Sequence, residues 1–441
     1  MTSPGARSLP PLRAPAQRPV SGRPPEPSTP SPWRLSHLLL APHRLGFFLA
    51  LGLLLASGLW WALVQLDRAT GWFGLGYTVS PTLTHAALMS LGFIPLFFAG
   101  FLFTAGPKWL GVPGPEARDL VPSAVLQAVG WLLWLTGAHT HAGVALAGIS
   151  LAAVGLAMQA WRFWGLVRAS RQVDRLHAQV VAMASGVGVL SVTGIAAATA
   201  FEAVDLGRAF VLSGLWGFVV PTYLAVAHRM IPFFTSSAVP MVHAWRPFWV
   251  LWAMLGAAAL EWVSVWIHAL WGAVPPSWML LQGVAELAAG GVLIWLGVAW
   301  GLVQSLKVRL LAMLHLGFVW LGLSFVLAGA SQLLGLQAGV PALGLGALHA
   351  LTMGCLGSLL LAMVTRVACG HSGRPLVADN LIWVLFWTLQ VTVLLRIAGA
   401  LPHAPASMLV AAAWLWAGVV VVWGLRLMGW FGRLRADGRP G

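Results

Sequence analysis

The sequence predicts an all-α protein, a polytopic membrane bundle of about twelve transmembrane helices, on three observations. Of its 441 residues, 59% are hydrophobic and 8% charged, and the mean hydropathy is +0.84. That leaves too little polar surface to cover a soluble globule of this size. The apolar residues gather in twelve runs of about 20, the length that crosses a hydrocarbon core as a helix. No run shows the alternating ten-residue pattern of a membrane barrel, and in hydrocarbon a lone segment satisfies its own backbone hydrogen bonds only as a helix.

Taken in order, the expected spans are 44–66, 83–105, 121–137, 142–161, 177–200, 208–228, 247–268, 277–303, 308–329, 342–366, 379–400 and 406–428, within a membrane domain of 37–432. The formal charge of +14 would ordinarily raise nucleic acid as a partner, but its placement excludes that class. With the N-terminus assigned to the cytoplasm, 22 of the 25 Lys and Arg residues fall on the cytoplasmic side, and only Arg68, Arg208 and Arg396 fall outside. Cytoplasmic loops retain Lys and Arg, so the bias supports both an even span count and cytoplasmic termini. Membrane lipid is the partner that the composition implies.

Residues 1–36 hold ten prolines among arginines and serines, a composition that cannot bury a core and reads as a disordered cytoplasmic tail. A short basic tail, 433–441, closes the chain. The initiator Met lies about 40 residues ahead of the first apolar run, too far for an ordinary signal peptide; a start codon assigned too far upstream fits equally well. Cys355 and Cys369 are 14 residues apart on or near one helix, about 21 Å, and cannot form a disulfide there.

An ionisable side chain inside a span is costly and marks a pathway, a ligand or a paired site. His85 and His349 each open the pattern His-Ala-x-x-Met, in spans two and ten that run in the same direction. Residues four apart share a helix face, so Met89 and Met353 each stand beside an imidazole. Imidazole and thioether both suit haem iron and copper. Glu261 and Glu286 fall at similar depths, roughly 10 to 14 Å below the outer boundary, so four polar groups are expected to converge in the outer third of the bilayer. A second set lies toward the cytoplasm: His228 and Arg229 at the end of span six, His315 early in span nine, and Arg366, His371 and Arg374 at or after the end of span ten. Arginine forks there suit an anion or haem propionates. Plainer readings stand beside these: an interfacial His85, methionines that only pack, carboxylic acids bonded to backbone, and arginines that only anchor loops.

Weak repetition accompanies the motifs. His85-Ala-Ala-Leu-Met resembles His349-Ala-Leu-Thr-Met, and spans two, six and ten recur every fourth helix, as three pseudo-repeated four-helix units would place them. Thr104, Thr235 and Thr365 fall near the inner ends of those three spans.

Three stretches resemble the NnrS family of bacterial membrane proteins: Gly100-Phe-Leu-Phe-Thr-Ala-Gly-Pro-Lys-Trp109, Arg229-Met-Ile-Pro-Phe-Phe-Thr235, and Leu348-His-Ala-Leu-Thr-Met-Gly354 through Thr365-Arg366 to Gly370-His-Ser-Gly-Arg-Pro-Leu376. His315-Leu-Gly-Phe318 is similar to a further family pattern. The resemblance implies a twelve-span inner-membrane protein containing haem and copper, associated with nitric oxide metabolism and resistance to nitrosative stress, with nitric oxide or a related small molecule as its partner. Where the family commonly reads Trp-His-Ala-His-Glu-Met, this chain has Thr84-His-Ala-Ala-Leu-Met89. A haem held by His85 and His349 survives that departure better than a copper site needing the residues replaced by Ala87 and Leu88. The arrangement is also similar, in architecture alone, to the large subunit of haem-copper oxidases and nitric oxide reductases. Their copper-ligating histidines have no clear counterpart here, so turnover is left open. Two other classes stay in view: a proton-coupled transporter using Glu261 and Glu286, and an assembly factor for a respiratory complex.

Overall fold

Each apolar run forms one helix in the computed structural model, which describes residues 31–239, 241–272 and 274–437. The disorder expected for 1–36 therefore falls mostly outside the described residues, as does the end of the basic tail. The spans are α1 (Pro42–Thr70), α2 (Pro81–Leu110), α3 (Ala117–Thr140), α4 (Ala142–Ala169), α5 (Leu176–Ala200), α6 (Val204–Ala238), α7 (Phe248–Trp271), α8 (Pro276–Ala299), α9 (Arg309–Leu334), α10 (Gly346–His371), α11 (Asn380–Ala398) and α12 (Ala406–Phe431). All twelve are long and apolar enough to cross a membrane, and the chain is a multi-pass membrane protein.

Prolines open α1, α2 and α8, where the missing N–H would have had no intrahelical partner, while Pro107, Pro122 and Pro232 lie inside helices. Where side chains are small the helices close on one another. A Cβ on Gly148 of α4 would lie 2.5 Å from the Trp134 backbone nitrogen and 2.6 Å from the Gly130 carbonyl oxygen of α3. On α8 and α9, Gly290 and Gly322 make a second such contact, a Cβ on Gly290 meeting the Gly322 carbonyl at 2.8 Å.

Burial is uneven, 78% for the apolar window of α2 against 28% for that of α7, so α2 is central and α7 is largely left to lipid. The two ends of the chain meet on one face. Trp33 donates to the Met428 carbonyl at 3.1 Å, and Arg44 donates to the carbonyls of Phe431 at 3.1 Å and Arg433 at 2.6 Å.

Three helices contain a π-helical stretch: Leu88–Gly92 in α2, Leu215–Val219 in α6 and Ala350–Gly357 in α10. These are the helices that the weak repetition pairs. A π bulge widens a turn and re-aims the side chains beside it, and such bulges concentrate at functional sites. Two corrections of boundary matter for function. α6 runs on to Ala238, so Arg229 through Thr235 lie inside a helix with Pro232 in its interior. α10 ends at His371 rather than 366, so Arg366 and His371 occupy its last two turns and only Arg374 follows it.

Candidate functional site

His85 lies in the second turn of α2 and His349 in the first of α10, each just ahead of its π stretch. The bundle brings them together. Their ring centroids are 6.5 Å apart and their planes 8° from parallel. They share a cavity with Met89, Met353 and, deeper in, Tyr223. Trp61 of α1 lies flat on His85, centroid to centroid 3.8 Å at 15°, which fixes the plane of that ring. His349 Nδ1 is 2.9 Å from the Leu345 carbonyl oxygen. A carbonyl only accepts, so Nδ1 carries the hydrogen and Nε2 keeps its lone pair. His85 Nδ1 is sealed from solvent with no partner.

Among the described residues one charged side chain lines this cavity: Arg396, near the end of α11. Its Nη1 is sealed and unpaired, an uncompensated cation in the wall. Apart from Gln65, Thr352 and the two histidines, the wall is apolar or aromatic, with Phe93, Phe97 and Trp416 among its members. The cavity volume is about 140 Å³.

A bound haem is testable against these positions. The two rings lie parallel with centroids 6.5 Å apart, and neither Nε2 has a protein partner among the described residues. Two imidazoles with free Nε2 atoms are donors that haem iron accepts, so the residues present fit the group. Copper fits less well. Among the described residues no three His, Cys, Asp or Glu side chains gather at one point, so a copper ion here would depend on Met89 and Met353.

The other expected residues do not join this site. Glu261 and Glu286 come together, but in a second cavity, with Gln282 and His268. The expected convergence of four polar groups is therefore two convergences of two. The partition runs through α10, where Leu348 lines the second cavity and His349 the first; adjacent helical residues point about 100° apart.

The cytoplasmic set is dispersed as well. His228 Nδ1 meets His177 Nε2 at 3.0 Å and His228 Nε2 donates to the Pro247 carbonyl at 3.1 Å. Arg229 faces Asp174 at 3.9 Å and lies over the Trp109 ring. His315 Nε2 is 2.9 Å from the Thr235 hydroxyl. Arg366 covers Phe234, Arg374 covers Trp430, and His371 packs on His43 with ring centroids 4.3 Å apart. Burial lowers the Arg374 guanidinium from its ordinary range. None of these six lines the paired-histidine cavity.

Two residues that the motifs did not single out complete the site, Trp61 and Arg396. The signal for Arg396 was its exception to the charge bias, as one of three basic side chains on the far face. Trp61 left no signal among 26 tryptophans.

Twelve spans around a half-buried, parallel histidine pair define a polytopic membrane protein with a cavity between α2 and α10. The family model described as NnrS protein matches residues 37–435, and the chain belongs to the NnrS family. No curated protein matches it.

Proposed function

We propose that this chain is a haem-binding protein of the bacterial inner membrane that acts in the response to nitric oxide and in resistance to nitrosative stress. His85 and His349 would hold the haem iron. The observation that carries the reading is the parallel ring pair, 6.5 Å apart with both Nε2 atoms free, and family membership supplies the link to nitric oxide. When bound, haem would supply redox-active iron to the site. The protein's own residues do the rest. Trp61 holds the His85 plane, the Leu345 carbonyl holds the His349 tautomer, and Arg396 takes an acidic group at the macrocycle's edge. The aromatic wall keeps water from the metal. Copper is a possible second ligand of the same cavity, through Met89 and Met353. Cytoplasmic termini follow from the placement of 22 of 25 basic residues.

The test is the absorption spectrum of protein purified from haem-sufficient cells, beside His85→Ala and His349→Ala. A Soret band in the parent, shifted or lost in each variant, is expected. A parent without a Soret band that also fails to take up added haem sinks the reading. Proton-coupled flux by haem-free protein in vesicles would favour the transporter reading instead.

A further inference from the structure

The second cavity, about 550 Å³, lies among α6, α7, α8, α9 and the start of α10. Its deep wall carries the two membrane-embedded glutamates. Glu286 is 1% exposed, and its Oε1 accepts from Gln282 Nε2 at 2.7 Å. The Gln282 oxygen is 3.4 Å from His268 Nε2, at the end of α7. The carboxyls of Glu261 and Glu286 are within hydrogen-bond reach of each other. Among the described residues neither has an ion-pair partner, and Glu261 Oε1, Glu286 Oε2 and the Gln332 Oε1 atom of α9 are sealed acceptors without a donor. The site is short of hydrogens.

Two carboxylates in contact, buried and with no cation paired to either, repel strongly. One proton between them removes a charge and supplies the missing donor. A metal cation serves less well. Calcium takes six to eight oxygens and magnesium six, and Glu286 Oε1 is already taken by the Gln282 amide. The other titratable or charged groups lining this cavity are Asp205 and Arg208 of α6 and His268 of α7; α8 adds Gln282, α9 adds Ser324, Ser331 and Gln332, and α10 adds no ionisable group. Asp205, Arg208 and His268 lie toward the helix ends opposite the chain termini.

We propose that Glu261 and Glu286 form a proton-holding pair: one proton shared between two carboxyls, net charge −1, exchanged with the aqueous phase at the face opposite the termini through this cavity. When the proton leaves, it passes to water in the cavity and the pair becomes doubly negative; uptake reverses this. No bond other than O–H changes. The proposal is independent of haem, because the wall of α10 separates the pair from the histidine cavity.

Infrared difference spectroscopy of the full-length protein in proteoliposomes tests it, following the C=O stretch of a protonated carboxylic acid. At neutral pH the parent is expected to show one such carboxyl per chain, shifted by deuterium exchange and lost as the pH is raised. Glu261→Gln and Glu286→Gln should each remove it or move its titration, with the amide bands unchanged to show that the variants are folded. Because the parent carries the first readout alone, a misfolded variant does not rescue the proposal. No protonated carboxyl in the parent at neutral pH overturns it. So does a band untouched by either substitution, or one displaced by calcium or sodium at neutral pH, which would mark a cation site.

Discussion

Arg396→Met is the substitution that separates a ligand site from a packed cavity. The side chain keeps its length and loses its charge. Among the described residues Arg396 is the one charged lining residue and its Nη1 has no partner, so the apoprotein gives up no ion pair. It sheds an uncompensated cation, and its thermal midpoint should rise or stay where it is. Ligand binding should move the other way. A hydrogen bond to a charged group contributes about 1.5–3 kcal/mol; at about 1.4 kcal/mol per decade, losing one weakens haem about 10- to 150-fold. The assay is titration of haem into detergent-solubilised apoprotein, read at the Soret band, with thermal unfolding of the same preparations. Equal haem affinity in parent and variant refutes the pairing of Arg396 with an acidic edge. A variant less stable than the parent in the absence of ligand refutes the claim that Arg396 stands unpaired.

Gly148→Val should force α3 and α4 apart, because the Cβ meets backbone of Trp134 and Gly130 that cannot swing away; a loss of about 1–3 kcal/mol is expected, read as a lower thermal midpoint. Asp379 begins α11, where its side chain accepts from the Ile382 N–H at 3.1 Å and is paired with Arg426, one of the two contacts being 3.0 Å. Asp379→Ala removes the cap and should cost about 1 kcal/mol. The hydrogen bond from Arg426 holds the Asp379 carboxyl below its usual range. Its contribution is therefore complete above the unfolded value of about 3.9 and is lost as the pH falls through the lower folded value. Melting curves of parent and Asp379→Asn should converge only below about pH 4, and a gap that closes between pH 5 and 7 would show that another group governs it.

The twelve crossings were legible in the chain because hydrocarbon accepts only long apolar runs with internally paired backbones, and Lys and Arg placement supplied an orientation. The His85 and His349 motifs were legible for a similar reason: an imidazole inside a span is costly enough to stand out. The repetition across spans two, six and ten was visible only as a faint spacing, and its physical form, a π stretch in each of those helices, depends on backbone hydrogen bonds that no composition reports. How each helix is rotated about its own axis was decided by tertiary packing alone. That rotation set His349 facing one cavity and its neighbour Leu348 facing another, kept the glutamates away from the histidines, and turned Arg396 and Trp61 toward the ring pair. A uniformly apolar helix records little about its own rotation in sequence, because in lipid nearly every face of it is soluble. Only contact with its neighbours, through glycines such as Gly148 and Gly290, selects which face turns inward.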